Sequence, residues 1–350
     1  MTRVAIVIVN WNGARDTIDC VRSVQQMNVG RVELTNVIVD NGSSDESVSL
    51  LNAFVRTQGS ANSLAVPPAL ARKVRQIAQI KAEEGGTSVL LVEAIENRGF
   101  AAGNNIGIEA SNVIGAPDFI WFLNSDTLVD ADALHHLLAK MEANPDMGMC
   151  GSTLIYASDR RTVQSYGGSY YSMRTGRGWS PGAGQIYDPH VSDAQAESQI
   201  NYVSGAAMFV RRTMLDQIGP MAEEYFLYNE EIDLSCRARG RFRIGVAVRS
   251  IVYHHVGASI GTEGTDVAAS RLSTFYQTRS KLLFAAKHAP LSYVLVWMTL
   301  LARAIKFYSN PKRRAEAHII AAVLRGKRAV DQRWFSERAM EKKALPEVHS

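Results

Sequence analysis

Val4-Ala5-Ile6-Val7-Ile8-Val9-Asn10-Trp11-Asn12-Gly13 decides the fold. The apolar run has no helical spacing and is almost wholly β-branched, which marks a strand buried on both faces of a parallel sheet. Polar turn residues at Asn10–Gly13 end it, and Ala14–Gln26 follows with Ile18, Val21 and Val24 at helical spacing. The same phrase recurs. Val37-Ile38-Val39 is ended by Asp40-Asn41-Gly42-Ser43-Ser44-Asp45, and a helix is expected from near Asp45 to about Arg56. Val89–Val92 leads into the Gly/Asn loop Glu96–Asn105 and a helix over Asn105–Ser111. Phe119–Leu123 stops at Asn124-Ser125-Asp126, before a helix from about Asp130 to Asn144.

Strand, polar loop and helix, repeated four times, specify a mainly parallel α/β sheet flanked by helices. Right-handed crossovers place all the strand C-termini on one edge, where such sheets bind ligands. The tips at Asn10, Asp40, Asn97 and Asp126 are therefore expected to converge on one crevice. Between them, residues 57–88 read as a surface insertion, with a charged helix over Ala69–Glu84 after Pro67-Pro68. Beyond residue 150 the rhythm changes. Residues 151–200 read as strands and loops rich in Gly, Ser and Tyr. Tyr202–Val210 reads as a strand or helix edge, Tyr225–Arg239 as a helix and Ile244–His255 as one or two strands. Residues 271–330 read as mostly helical.

The 350 residues are 46% hydrophobic and 21% charged, which excludes a disordered chain and a collagen-like fibre. Cys20, Cys150 and Cys236 are odd in number and far apart, so a zinc site or disulfide framework is not expected and a reducing, cytoplasmic setting fits. Neither a signal peptide nor a run of 18 apolar residues is seen, so no spanning helix is expected. The net charge of +4 is uneven: residues 1–270 hold 22 Lys and Arg against 29 Asp and Glu, and residues 271–350 hold 16 against 5. An acidic body suits a cation-dependent site, and a basic tail suits an anionic partner or a solvated helical face. A nucleic-acid partner is not expected, since aromatic–basic motifs are absent.

Chemistry-bearing residues fall at the loop ends. A carboxylate at Asp40 can accept from a nucleobase N–H or a ribose hydroxyl, or can close the strand as an Asx-turn. Asp126 can hold Mg²⁺ or Mn²⁺, or cap the next helix. Glu230-Glu231-Ile232-Asp233 crowds three carboxylates; Glu230 and Asp233 share a helix face, and crowding raises a pKa toward general-base use. An acidic helix N-terminus is the plainer alternative. Of His254-His255, a strand aims one at the site, where it can ligate a cation or contact a phosphate, and Gly257 and Ser259 suggest a tight loop behind it.

Seven motifs in order then show a resemblance: Val-Asn-Trp-Asn (9–12), Val-Ile-Val-Asp-Asn-Gly-Ser-Ser-Asp (37–45), Asn-Arg-Gly-Phe-Ala-Ala-Gly-Asn-Asn-Ile-Gly (97–107), Phe-Leu-Asn-Ser-Asp (122–126), Val-Ser-Gly-Ala (203–206), Tyr-Asn-Glu-Glu-Ile-Asp-Leu (228–234) and His-His-Val-Gly-Ala-Ser (254–259). Over roughly residues 3–290 the chain resembles family 2 inverting glycosyltransferases of GT-A fold, in their rhamnosyltransferase-like branch. The resemblance implies a nucleotide-sugar donor, best dTDP-rhamnose, a divalent cation, and a saccharide or lipid-linked saccharide acceptor in cell-surface polysaccharide synthesis. It implies that Asn10, Trp11 and Asn12 border the base, and that Asp40 contacts base or ribose. Asn97, Arg98, Gly99 and Asn104 then lie beside ribose and phosphates, and Gly205 and Ala206 wall the donor sugar. Asp126 matches the last aspartate of the family's metal-binding Asp-x-Asp. Asn124 stands at its first position with Ser125 between, so the metal rests on Asp126 helped by His254. The family's base is the Asp of a Glu-Asp pair, and Glu231 occupies that position with Asp233 and Glu230 as rivals.

The resemblance divides the chain into a glycosyltransferase domain over 1–265, with its nucleotide-binding half at about 1–130 and acceptor half at 131–265, and a basic helical extension over 266–350. Within the extension, Leu291–Ala302 is apolar for twelve residues and is followed by Arg303, Lys306, Lys312, Arg313 and Arg314. That pattern suits peripheral contact with the inner face of a membrane, or a packing or homodimer helix. A sugar-phosphate nucleotidyltransferase and a non-catalytic nucleotide-sugar-binding module are the competing readings. The first wants a Gly-rich basic loop after the first strand, and the second has no need of the Glu230–Asp233 cluster.

Overall fold

The computed structural model describes residues 1–81, 87–255 and 271–328. It divides into a large unit, residues 1–171 and 177–259, and a helical unit, residues 172–176 and 260–350. The expected boundary at 265/266 and the 256–259 end of the His-His motif, with Gly257 and Ser259, lie outside the described residues.

The large unit opens β1 (Thr2–Asn10), α1 (Ala14–Gln25), β2 (Val32–Asp40), α2 (Ser47–Thr57), β3 (Ala61–Leu64), β4 (Val74–Ile80), β5 (Ser88–Ala94) and α3 (Phe100–Ser111). It continues with β6 (Phe119–Asn124), β7 (Thr127–Val129), α4 (Ala133–Ala143), β8 (Met147–Tyr156), β9 (Val163–Tyr166), β10 (Gly168–Tyr171), β11 (Gly178–Trp179) and α5 (Asp193–Glu197). β12 (Tyr202–Val203), β13 (Ala207–Arg211), α6 (Arg212–Ile218), α7 (Glu230–Ala238) and β14 (Arg243–His254) close it. Among the described residues the main sheet runs β3-β4-β5-β2-β1-β6-β13-β8-β14-β7, with β9 on β8; β11-β10-β12 form a small second sheet. β5, β2, β1 and β6 are mutually parallel, and β13 enters antiparallel beside β6.

Strand β1 shows why this architecture forms. Its side chains alternate faces, and both faces are covered. Val4, Ile6 and Ile8 pack with Val21, Val24, Leu51 and Leu134 of α1, α2 and α4. Ala5 and Val7 pack with Ala101, Ile106 and Leu234 of α3 and α7. The four strand–loop–helix repeats read from the sequence are all present.

The expected helix over Ala69–Glu84 is a correction: Val74–Ile80 is the antiparallel strand β4, hydrogen-bonded between β3 and β5. Val74, Ile77 and Ile80 recur every third residue, which looks helical. In the sheet, a register shift between Val74 and Gln76 accommodates the first interval. Ile77 and Ile80 then cover opposite faces, each joining a different core cluster. Three boundaries also move. The fourth helix starts at Ala133 because β7 intervenes, α3 starts five residues early at Phe100, and the expected Tyr225–Arg239 helix contracts to α7.

The helical unit contains α8 (Arg271–His288), α9 (Tyr293–Tyr308) and α10 (Arg314–Leu324). Phe275 and Leu282, Val296, Leu300 and Phe307, and Ile319, Ile320 and Val323 form its core. No run of 18 apolar residues is present, yet Pro290–Tyr308, 19 residues with a mean hydropathy of 1.3, is long and apolar enough to cross a membrane by length and composition alone, because scattered Thr, Arg and Lys do not outweigh the remaining apolar residues.

Gly107 sets how closely α3 approaches the sheet: a Cβ there would run into Val7 Cγ1, which is fully buried on a stiff β-branched side chain. Gly107→Ala should therefore lower unfolding stability by about 1–3 kcal/mol through overpacking. Urea denaturation measures it; an unchanged midpoint would refute the tight contact.

Candidate active site

Parallel pairing places Asn10 directly opposite Asp40. Asn10 Nδ2 donates to Asp40 Oδ2 at 2.8 Å, Ser43 Oγ donates to the same oxygen at 2.6 Å, and the Ser43 amide donates to Asp40 Oδ1 at 3.0 Å. Thr17 Oγ1 donates to Asn10 Oδ1 at 2.8 Å. Asp40 is only 1% exposed. Its carboxylate closes an Asx-turn and orients the two strand tips. The exposed part of this rim is Asn12, at φ 55°, whose amide and side chain bind Ser43 Oγ and the Ser44 amide. Trp11 beside it is half-buried.

Asn41 carries the network to the next loop, donating to Asn97 Oδ1 and the Gly99 carbonyl, each at 3.1 Å. Gly99 has φ 92°, and a Cβ there would run into the Phe226 carbonyl, so glycine is required twice over. The Phe100 amide donates to that same carbonyl at 2.7 Å. Asn104 is buried and bonds the Phe100 carbonyl, while Arg98 is exposed. From α3, Asn105 clamps Met221 through both backbone groups and reaches Glu223 Oε1 at 3.1 Å. Burial alone would raise the Glu223 carboxyl, but hydrogen bonds from Asn105 and Lys73 hold it below its ordinary range.

The clamped segment arrives at α7 under backbone strain. Phe226, Tyr228 and Asn229 all have positive φ, at 65°, 67° and 72°. Three such non-glycine residues in four cost of order 1–3 kcal/mol each and gather where a structure forces a side chain into place. Here they turn Glu230 and Glu231 inward. Glu230 is buried, and burial, then the charge of Glu231, pushes its carboxyl well above the ordinary value. Burial also raises Glu231, which a hydrogen bond from Glu230 partly offsets. Two neighbouring carboxyls raised in this way favour one negative charge shared over the pair. One oxygen of each, Glu230 Oε2 and Glu231 Oε2, is buried without a hydrogen-bond partner. Asp233 is fully buried. Its Oδ2 meets Arg237 Nε at 2.7 Å, and Tyr225 donates to Oδ1 at 3.3 Å. Arg237 also binds the carbonyls of Ile218 and Pro220, at 2.6 and 2.7 Å.

Gly205 joins the acid pair to the other tip: a Cβ on it would sit 3.6 Å from Glu231 Cβ and 3.8 Å from the Phe100 ring. The neighbouring Ala206 carbonyl accepts from the Asn124 amide at 3.0 Å. Ser125 and Asp126 follow, both buried. Antiparallel pairing of β14 with β7 sets His254 opposite Thr127. His254 Nε2 is thereby 3.3 Å from Asp126 Oδ1. Gln164 Nε2 donates to the His254 carbonyl at 3.0 Å, which turns its Oε1 toward His254 Nδ1 at 2.9 Å. That pairing places an imidazole proton on Nδ1, so Nε2 is the nitrogen turned toward Asp126, with Asn124 Nδ2 3.5 Å from it as well. Asp126 Oδ1 is itself buried without a hydrogen-bond donor. Asp126 Oδ1 and His254 Nε2 thus face each other, although the described residues contain no cluster of three or more His, Cys, Asp or Glu able to hold a metal alone.

The structure thus links Asn10, Asp40, Asn97, Gly99, Glu231, Gly205, Asn124 and Asp126 through a continuous set of contacts. His255 points elsewhere, onto a cleft of about 460 Å³ that also exposes Asp16, Arg160 and one side of Asp126. Burial and then Asp126 push the Asp16 carboxyl up. Gln164 and Asn105 gave no sequence signal of their own. Gln164 sits in an irregular stretch, and Asn105 was visible only as one more residue of the 97–107 motif.

The central sheet flanked by helices matches, in fold, solved structures of GT-A glycosyltransferases. Similar ones include the mannosyltransferase PcManGT from Pyrobaculum calidifontis in complex with GDP-Man and Mn²⁺ (TM-score 0.52, 14% identity, 99% of this chain and 81% of that one). GalNAc-T7 with UDP, GalNAc and Mn²⁺ is another (TM-score 0.57, 11% identity, 98% of this chain and 57% of that one). A family model described as "Glycosyltransferase like family 2" matches residues 2–271, and the chain belongs to that family. An N-acetylglucosaminyl-diphospho-decaprenol L-rhamnosyltransferase of Mycobacterium tuberculosis is 34% identical over 82 residues, 23% of this chain; the match spans only 27% of that relative's length.

The acid pair predicts a pH signature. A carboxyl whose folded pKa is raised keeps its proton after the unfolded chain has lost it, so stability falls as pH rises from the ordinary value near 4.5. Glu230→Gln removes that penalty. Its melting temperature should match wild type at acid pH and exceed it increasingly toward the raised pKa, at up to roughly 1.4 kcal/mol per pH unit. A constant offset in thermal melts across pH would disprove the shared buried proton.

Proposed function

We propose that the protein is an inverting glycosyltransferase that moves a sugar from a nucleotide diphosphate donor to a saccharide or lipid-linked saccharide, with Glu231 as base. The observation that carries this reading is the Glu230–Glu231 pair: two adjacent buried carboxyl groups, both raised by burial, each with one oxygen that no hydrogen bond meets. Rhamnose from dTDP-rhamnose is the donor we favour, supported by the short stretch of identity to the mycobacterial rhamnosyltransferase.

In this reading Asn12 and Trp11 border the base, on a rim that Asn10 and Asp40 hold rigid. Asn97, Arg98 and Gly99 flank ribose and phosphates, and Asn104 fixes the loop that presents them. Gly205 and Ala206 leave room for the sugar. Asp126 Oδ1 and His254 Nε2 would hold a divalent cation, Mg²⁺ or Mn²⁺, with Asn124 and Ser125 shaping the turn. When bound, the ion supplies counter-charge to the departing diphosphate. Glu231 Oε2 takes the proton of the acceptor hydroxyl as that oxygen attacks the anomeric carbon opposite the nucleotide. Glu230 stabilises the carboxylate by its hydrogen bond. Asp233, held by Arg237, positions α7 and takes no proton.

Glu231→Gln should reduce sugar transfer by about 10²–10⁴-fold while leaving nucleotide affinity within error. Transfer assayed with product configuration by NMR tests this; undiminished turnover would remove Glu231 from the mechanism. Formation of a nucleotide sugar from a sugar phosphate would instead favour a nucleotidyltransferase. Wild-type kcat should fall on acidification as the pair gains its second proton.

Chelation should abolish turnover. Gln164→Leu frees the imidazole to change tautomer, and should raise the Mn²⁺ concentration needed for nucleotide diphosphate binding by about 10–100-fold. Calorimetry at graded Mn²⁺ reads this; an unchanged requirement would separate His254 from the cation.

A further inference from the structure

Helix α9 is apolar on two opposite sides. Val296, Leu300, Ala304 and Phe307 are buried against α8 and α10. On the other side Val294, Met298, Leu301, Ile305 and Tyr308 recur at i, i+4, i+7, i+11 and i+14, exposed by 67, 56, 37, 61 and 57%. Leu291, fully exposed, and Leu295 extend this stripe at its N-terminal end. An all-apolar helix in water is ordinarily covered on every side, and contiguous exposed apolar surface of this kind marks an interaction site. Over Pro290–Tyr308 only 22% of the residues are buried.

The charge around the stripe identifies what covers it. Residues 271–328 contain 12 Lys and Arg and a single acid, Glu316, which is itself buried beside Arg313. Lys306, Lys312, Arg314, Arg325 and Lys327 are exposed on this unit. A second copy of so basic a surface would be repelled. We propose that the outer face of α9 docks, in plane, on an anionic lipid surface. Crossing the bilayer is disfavoured because the inner face of α9 is packed on α8 and α10, and their cations would have to enter hydrocarbon with it. Lying in the interface requires only the outer stripe to enter the acyl boundary, with the flanking cations at headgroup level. Tyr293 and Tyr308, at the two ends of the helix and both partly exposed, suit that depth. The inference uses only the helical unit and stands independently of the proposed reaction.

Sedimentation of the full chain tests it, with phosphatidylcholine vesicles alone or containing roughly one third phosphatidylglycerol. Wild type should sediment with the anionic vesicles only, and release at high salt. Lys306→Gln with Lys312→Gln, both at exposed sites, should weaken binding by about fivefold per cation removed. Met298→Asp with Ile305→Asp should abolish it while circular dichroism stays unchanged. Absence of sedimentation at low salt would overturn the proposal, as would binding indifferent to the two lysines. Light scattering that shows a dimer, dissolved by the aspartates without loss of vesicle binding, would assign the face to a second copy and overturn it equally.

Discussion

Two carboxyl groups side by side in a buried site oppose each other's ionisation, and the end of the large unit that carries α7 is organised around that constraint. A lone buried carboxylate would be strongly disfavoured unless hydrogen-bonded. Burial raises both carboxyls, and a hydrogen bond between them lets the pair share one negative charge. The helix N-terminus beneath them adds favourable partial charge. Neither effect would aim the pair inward without the left-handed turn at Tyr228 and Asn229. That turn is in turn fixed from outside: by Asn105 on Met221, by the Phe100 amide on the Phe226 carbonyl, and by Arg237 spanning Asp233 and the 218–220 carbonyls. The α3 face, the strand-tip loop and α7 are thus parts of one restraint.

The same logic explains why Asp40 and Asp233 are buried carboxylates of a different kind. Each has its oxygens met by donors from neighbouring elements, Asp40 by Asn10 and Ser43 and Asp233 by Arg237 and Tyr225. A satisfied carboxylate stabilises geometry; one with an unmet lone pair is available to a ligand. By that criterion Glu230, Glu231 and Asp126 stand apart from Asp40 and Asp233. The criterion concerns partners three-dimensionally adjacent, which adjacency in sequence does not reveal.

That difference also separates what was legible in the sequence from what was not. Periodicity and the polar loop ends were enough for β1, β2, β5 and β6, for their helices and for the meeting of the tips, because each depends on local pattern plus right-handed connection. Strand β4 was misread because a strand covered on both faces can place apolar residues three apart, and only the register of its neighbours says which face each one meets. The role of Asp233 was ambiguous for a related reason. Helical spacing pairs it with Glu230, yet Arg237, four residues on, takes up its carboxylate in an ion pair. Gln164 could not be found at all: its importance lies in fixing one imidazole proton across ninety residues of chain.

Asn124 in place of a carboxylate makes that imidazole proton consequential. A site with two acids can hold a divalent cation by charge alone. With one acid, Asp126, the second ligand must present a lone pair, and a histidine does so only when its other nitrogen keeps the proton. Gln164 enforces this because its own orientation is dictated by the His254 carbonyl, a backbone acceptor that cannot change role.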